Sequence, residues 1–558
     1  MKQFSRWLIA ISAALLHNPV IASVTEYTLV IDREPVNITG KAVERITING
    51  GIPGPIMEFT EGDEAVIHVI NKLDEPTSVH WHGLLLPPEM DGVPGLSDFK
   101  AIEAGDTFTY RFTLRQNGTY WYHAHSGSQE QDGHYGALVI YPKDEPVVQA
   151  DRDYVVLLSD FSNETGQQIF GNLKKSPHYY NYAQRTVGDF FGEVREKGFK
   201  SAWSNARDWG QMRMSPTDLA DVSYDAFLLN GKTNEQNWTG LFKPGERVRL
   251  RFINASAMSM YDVRIPGLQM TVIQADGQYI EPVTVDEFRF AVAETYDVIV
   301  TPQADQAYTI AAESIDRTGF ALGTLAPREG MKGLVPAHRP RSLLTMADMG
   351  HDMDHSGHDM SDASQGMDHS GHDMQDDEPA EMQSGWADAS TPKGHKALQY
   401  SDLRALGTQT DLRPAEREIV VTLGGTMERF IWTLNGHKFG DPGFEPIKLN
   451  YGERVRLIFK NETMMAHPMH LHGMFVQLEN GQPGEKLPNK HTVNVAPGTE
   501  YSVLLTADEP GEWAFHCHLL YHMSAGMMST VVVAEFDEDD LPASQPAHHD
   551  MGGHHEHH

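Results

Sequence analysis

His516-Cys517-His518, with His522 and Met527 just beyond, is the stretch of this 558-residue chain whose residue types can do chemistry. Cys517 is the sole cysteine. On a β-strand successive side chains alternate between faces, so Cys517 points one way and His516 and His518 the other. Cysteine, histidine and methionine are the donor set of a blue-copper electron-transfer site, and His522 and Met527 in the following loop extend that set. The flanking histidines then face a second metal centre, one peptide bond away on each side. The segment reads as an electron conduit between two copper sites. A lone cysteine can also be a small buried hydrophobe, so the reading depends on further ligands elsewhere in the chain.

Those ligands emerge from an internal repeat. Residues 62–71, 245–254 and 452–461 resemble one another, each a turn glycine followed by an alternating apolar strand that ends in asparagine. Eighteen and twenty residues after Gly62 lie His80 and His82, and the same offsets from Gly452 reach His470 and His472. From Gly245 they reach Val263 and Ile265, so the middle unit keeps the strand and lacks the ligands. A second pair follows the same rule. Gly118 leads after five and seven residues to His123 and His125, and Gly511 to His516 and His518. Ala124 stands in the first unit where Cys517 stands in the third.

Strand residues two apart share a face, so each His-x-His pair can present two imidazoles to one pocket. Eight imidazoles exceed what one ion takes. They suit a cluster of three ions between the first and third units. His467, three residues before His470, can face the other way and complete a mononuclear site with Cys517, His522 and an axial Met527.

With these four motifs the chain resembles the multicopper oxidases, over its whole length beyond the leader. The resemblance implies three cupredoxin-like Greek-key β-sandwich domains, an all-β fold, and four copper ions. By position, His467, Cys517, His522 and Met527 would bind type 1 copper, and His80 and His470 type 2 copper. His82, His123, His125, His472, His516 and His518 would bind the type 3 pair. Electrons would pass from type 1 through Cys517 to the cluster, where oxygen becomes water. Asp91 matches a position where relatives hold a carboxylate near the cluster, which implies proton delivery; an Asx turn is the alternative. Some relatives carry a second acid just after the histidine matching His522, where this chain has Met523. Asn181 to Phe191 and Arg213 to Val222 resemble the bacterial copper-resistance (CopA-like) oxidases, which implies Cu(I) and O2 as substrates.

The positioning elements must be β-strands, and the sequence supplies them: β-branched and aromatic runs at 154–158, 297–300 and 529–534, separated by Gly, Pro, Asn and Asp. Residues 170–222 depart from this, with an amphipathic patch of Val187, Phe190, Phe191 and Val194 that suits a helix. The expected organisation is a signal peptide over 1–23, domain 1 over 24–145, domain 2 over 146–340, a linker over 341–397, domain 3 over 398–540 and a His-rich tail over 541–558. The leader carries Lys2 and Arg6 before the apolar run 7–16, with no twin-arginine motif. It predicts export to the periplasm, with no stable membrane insertion, because no apolar stretch is long enough to span a bilayer.

The linker composition cannot build a packed core, so it is expected to be disordered or ordered by metal. Its Met346, Met349, Met353, His355, His358, Met360, Met367, His369, His372 and Met374 include an exact repeat of Met-Asp-His-Ser-Gly-His-Asp-Met. Thioether sulfur is soft and selects Cu(I), so the segment is a candidate for Cu(I) recruitment. A formal charge of −33 argues against nucleic acid as a partner. Separately, a periplasmic copper chaperone is a candidate partner. The expected function is a cuprous oxidase serving copper resistance. A laccase-like phenol oxidase and a copper-sequestering binding protein are the alternatives.

Overall fold

The computed structural model describes residues 23–182, 186–211, 217, 219–340 and 391–537. The expected signal peptide apart from Ser23, the Cu(I)-recruitment residues of the linker and the His-rich tail lie outside the described residues. Strands dominate and assemble into three pairs of sheets, of four and four, six and six, and six and five strands in chain order. The all-β fold with three sandwich units expected from the repeat is what the chain adopts. Each unit buries an apolar core: Trp81, Tyr110 and Tyr122 in the first, Phe252, Phe288 and Tyr296 in the second, Trp432, Trp513 and Phe515 in the third.

The repeat segments occupy the same place in each unit. Strands Glu64–Asn71, Val248–Asn254 and Arg454–Asn461 pair in parallel with the opening strands Val24–Asn37, Arg152–Phe161 and Arg417–Thr426. On their other edge each pairs antiparallel, with Thr107–Thr113, Thr295–Val300 and Glu500–Thr506. Gly62, Gly245 and Gly452 turn into these strands at φ of 89°, 89° and 79°, a backbone that side chains with a Cβ resist.

The asparagine closing each repeat explains why the offsets to the histidines match. Asn71, Asn254 and Asn461 are buried. Each accepts a hydrogen bond from the backbone N–H two residues on, of Leu73, Ser256 and Thr463. Each also donates to carbonyls further along: Asn71 to Glu75 and Ile102, Asn254 to Ser259 and Phe290, Asn461 to Met465 and Val495. A buried amide satisfied in this way fixes the loop that follows it. That loop leads into His80–His82 in the first unit, Tyr261–Arg264 in the middle and His467–Leu471 in the third.

The amphipathic patch is helical. Helices Gly166–Lys175, Val187–Lys197 and Phe199–Gln211 branch from the middle unit, and the first two start in capping boxes built by Thr165 with Gln168 and Thr186 with Asp189. Val187 and Phe191 remain exposed, whereas Phe170 stacks on Tyr521 at 6.1 Å, one residue before His522. Past residue 390 the chain first returns to the middle unit. Ala397–Leu398 pairs with Glu287–Phe290, and Leu398 and Leu403 sit in that unit's core. No helix among the described residues is long and apolar enough to cross a membrane.

Candidate metal centres

Strands His467–Leu471 and Gly511–Cys517 lie antiparallel with His470 opposite His516 and Met469 opposite Cys517. Period two then sorts the side chains: His470 and His516 face one side, Cys517 and His467 the other. Cys517 Sγ lies 3.5 Å from His467 Nδ1 and 3.8 Å from His522 Nδ1, and those two nitrogens are 3.1 Å apart. His522 comes from the short helix Leu520–Ser524. Met527 is fully buried behind it, its carbonyl accepting from Cys517 N at 3.1 Å.

The outer nitrogens reveal which atoms are free to bind. His522 Nε2 donates to Asp221 Oδ2 at 2.7 Å, and His467 Nε2 donates to the Thr463 hydroxyl at 2.7 Å. With their protons there, both Nδ1 atoms carry lone pairs aimed at a common point with sulfur. Thr463 in turn donates to Asn461, so the repeat's own asparagine steers a candidate ligand. Burial lowers the pKa of both histidines well below the usual value, which keeps them neutral. Burial pushes the Cys517 thiol up, so the bare site holds a thiol; a bound cation would be needed to favour the thiolate.

On the other face the four His-x-His pairs converge. The ligand atoms of His82, His123 and His518 lie within 4.8 Å of one another, as do those of His125, His472 and His516, and those of His80, His470 and His472. A fifth set of residues, His82, His470 and His491, meets the same limit; His491 belongs to no His-x-His pair. Backbone and carboxylate acceptors again fix the tautomers. His80 Nδ1 donates to Asp91 O, His470 Nδ1 to His491 O and His516 Nδ1 to Cys517 O, at 2.7–2.9 Å. That turns each Nε2 inward. His516 Nε2 is 3.1 Å from His472 Nε2 and 3.3 Å from His125 Nε2.

Nε2 of His80, His82, His123, His470 and His518 are buried with no partner. Unpaired buried nitrogens are costly, and neutral imidazoles converging without protons between them are the donor set copper takes. The chain's residues fit the group.

Two buried carboxylates brace the cluster. Asp91 Oδ2 accepts from His472 Nδ1 at 2.8 Å, while its Oδ1 lies 3.3 Å from His80 Nδ1. It thus touches one histidine from the first unit and one from the third. Glu130 Oε2 accepts from His123 Nδ1 at 2.6 Å, and burial raises its pKa well above the ordinary carboxylate value. Sequence reasoning missed Glu130, Asp221 as a partner of His522, and His491. None lies at a repeat offset, and only the folded chain brings them to the histidines. His134 is buried 3.2 Å from the Thr77 hydroxyl, outside every convergent group, and Trp81 packs in the first core.

The chain is similar to known proteins over most of its length. The family description "Multicopper oxidase" matches at residues 30–145, 186–328 and 412–537. Copper resistance protein A of Escherichia coli is 48% identical over 574 residues, spanning 93% of this chain and 94% of that protein. A copper resistance protein A homolog of Pseudomonas syringae pv. tomato is 49% identical, spanning 92% of each. Multicopper oxidase MmcO of Mycobacterium tuberculosis is 31% identical, spanning 93% of this chain and 89% of its own. Among solved structures, Fet3p, described as a multicopper oxidase that functions in iron import, superposes with a TM-score of 0.67 at 19% identity, covering 92% of this chain and 90% of that one.

Proposed function

This chain belongs to the multicopper oxidases, and on that premise we propose that it is a periplasmic cuprous oxidase serving copper resistance. Its cofactor is four copper ions, one type 1, one type 2 and two type 3. In this reading His467, Cys517, His522 and Met527 would hold type 1 copper, and His80 and His470 would hold type 2. His82, His123 and His518 would hold one type 3 ion, and His125, His472 and His516 the other. The chemistry copper supplies when bound is one-electron uptake at the mononuclear position and four-electron reduction of O2 at the cluster. The balanced reaction takes four Cu(I), one O2 and four protons to four Cu(II) and two waters.

The chain's own residues arrange this. Cys517 joins the two centres through its peptide bonds to His516 and His518. Trp432 stacks on His522 at 4.0 Å and helps close the mononuclear site to water. Asp91 and Glu130 orient cluster histidines, a role whose loss commonly weakens metal binding about 10–100-fold. Asp91 also delivers protons to the cluster in this reading.

The observation that carries the choice of Cu(I) lies at Asp221. A small cavity on the far side of Asp221 is lined by Asp221, Met258, Met260 and Met465 together with the apolar Leu219, Ala220, Ile315, Ala466 and Leu519. Thioethers are soft donors that select Cu(I), and a carboxylate favours a cation. The carboxylate touches His522 directly, so an ion held there is one hydrogen bond from a type 1 ligand. Met258 and Met260 come from the middle unit's loop after Asn254, which leads into strand Tyr261–Arg264. The names of the copper resistance protein A relatives support the physiological role, and the leader over 1–23 supports the periplasm. The linker methionines and histidines would gather Cu(I) and pass it to this cavity.

Oxygen uptake with Cu(I) and with a phenol, compared side by side, tests the reading. Replacing Met258 and Met465 with leucine is expected to raise the KM for Cu(I) about tenfold, ~1.4 kcal/mol, with phenol turnover unchanged. A phenol preferred by wild type, with Cu(I) kinetics indifferent to both methionines, would make it a laccase-like oxidase instead. Deleting residues 346–382 is expected to slow Cu(I) oxidation at low Cu(I) and to leave phenol turnover unchanged or improved. Equal Cu(I) rates after the deletion would remove the linker from the mechanism.

A further inference from the structure

The loop between strands Gly118–His123 and Tyr135–Tyr141 of the first unit carries two neighbouring side chains that serve different centres. Glu130 holds His123, on the cluster side. Gln131, 5% exposed, reaches instead to the loop of the mononuclear site. Its Oε1 accepts from the Tyr521 hydroxyl at 3.0 Å and from the Tyr224 hydroxyl at 2.7 Å. Its Nε2 donates to Asp160 Oδ1 at 3.4 Å. Tyr521 is the residue before His522, while Asp160 and Tyr224 belong to the middle unit, so one buried amide ties together side chains of all three units.

The helix Leu520–Ser524 that presents His522 needs outside support. It is five residues long, and no side chain caps its N-terminus. A helix this short is not stable by itself, and its first N–H groups must find partners elsewhere. The middle unit supplies them: Leu520 N donates to Ala257 O at 3.0 Å, and Tyr521 N to Met258 Sδ at 3.5 Å. Asp160 accepts in turn from the N–H groups of Ala257, Met258 and Ser259 at 3.0–3.1 Å, which fixes that supporting loop. Gln131 therefore meets the helix twice, directly at Tyr521 and through Asp160 at the loop beneath it. A satisfied buried amide can serve only to dock one unit on another. Here, however, its bonds land on the residue beside a metal-binding histidine and on the carboxylate that braces that histidine's helix.

We propose that Gln131 is a positioning residue for the mononuclear centre: it holds Tyr521, and with it the backbone that carries His522, at a fixed place relative to the cluster. Glu130 and Gln131 form a two-residue bracket, one side chain on a cluster histidine and the next on the mononuclear loop. The bracket is a noncovalent companion to the path through Cys517. This rests on the assignment of His467, Cys517 and His522 to type 1 copper.

Gln131→Leu and Tyr521→Phe, made singly and together, test this, and the first measurement is taken on the copper-free protein. Amide hydrogen exchange over residues 519–524 should quicken roughly 2–10-fold in each single variant, as expected for the loss of one hydrogen bond. In the copper-loaded protein, the type 1 absorption and hyperfine splitting should shift in both, with the type 2 resonance as in wild type. Oxidase turnover should fall about 10–100-fold, as it commonly does when a group behind a metal ligand is lost. Because the two side chains act through one bond, the double variant should be no worse than the more affected single one. Effects that add in the double variant would overturn that shared action. Wild-type exchange and a wild-type type 1 spectrum in Tyr521→Phe would overturn the proposal. That variant decides the matter if Gln131→Leu does not fold, because it removes one oxygen and keeps the ring stacked on Phe170. A lowered Tm in Gln131→Leu with an unchanged type 1 signature would also overturn it, leaving Gln131 as a link between units. A copper-loaded wild type without type 1 absorption would instead sink the type 1 assignment, and the proposal with it.

Discussion

Cys517→Ser is expected to remove the blue colour and reduce oxidase turnover to background, with the type 2 resonance retained. The hydroxyl nearly matches the thiol in size, so the buried site with its His467 and His522 neighbours should still fold. What disappears is the soft sulfur donor that begins the covalent path to His516 and His518. No other cysteine exists to replace it, and the nearest alternative route from His467 or His522 to the cluster would have to jump between strands. Visible absorbance, copper content and oxygen uptake measured on one preparation check this. Turnover that survives at a substantial fraction of wild type would mean that electrons reach the cluster without this residue. The same variant also separates catalysis from storage in cells. Copper tolerance that persists with Cys517→Ser would favour a sequestering protein, because the methionine and histidine segments are untouched.

Asp91→Asn is expected to lower turnover about 10²–10⁴-fold, the usual range for losing a general acid or base, while copper content stays near full. Asparagine can still accept from His472 Nδ1 through its carbonyl, and the main-chain acceptor for His80 is unaffected. The contacts to His472 and, through the main chain, to His80 remain, and the capacity to carry a proton is lost. Asp91→Ala removes both, so its copper affinity should fall about 10–100-fold as well. The comparison separates two roles that a single substitution would merge. Wild-type turnover in Asp91→Asn, alongside copper loss in Asp91→Ala, would leave Asp91 as an orienting residue alone. Met523 stands where some relatives carry another acid. Glu130 is a second buried carboxylate, but it reaches the cluster from a different side, through His123.

The histidine pairs were legible because they lie on strands, where face and spacing are locked together, and because the repeat counted them twice. The exact offsets hold because Asn71 and Asn461 pin equivalent loops. The fold was legible for the same reason: alternation and turn glycines are local signals. The contributions of the middle unit were not. Val263 and Ile265 suggested a unit that had simply lost its ligands, whereas Asp221, Met258 and Asp276 reach both centres from loops with no periodic signature. Such contacts depend on how three units dock, which no short-range pattern encodes. The helical branch was legible as an amphipathic patch, but its exposed Val187 and Phe191 show that an apolar stripe need not end in a core.

The cluster's halves also impose a schedule on biogenesis. His125 and His516 meet at 3.3 Å although 391 positions separate them along the chain. The second half of the pocket does not exist until synthesis has passed residue 516, and a fragment ending anywhere before that residue carries at most part of a chelate. Premature metal capture by the first unit alone is thereby limited to its own two pairs, on the adjacent strands His80–His82 and Gly118–His123, without the third unit's four histidines. The trinuclear pocket acts as a completeness check: only a full-length, correctly docked molecule can close it around its ions.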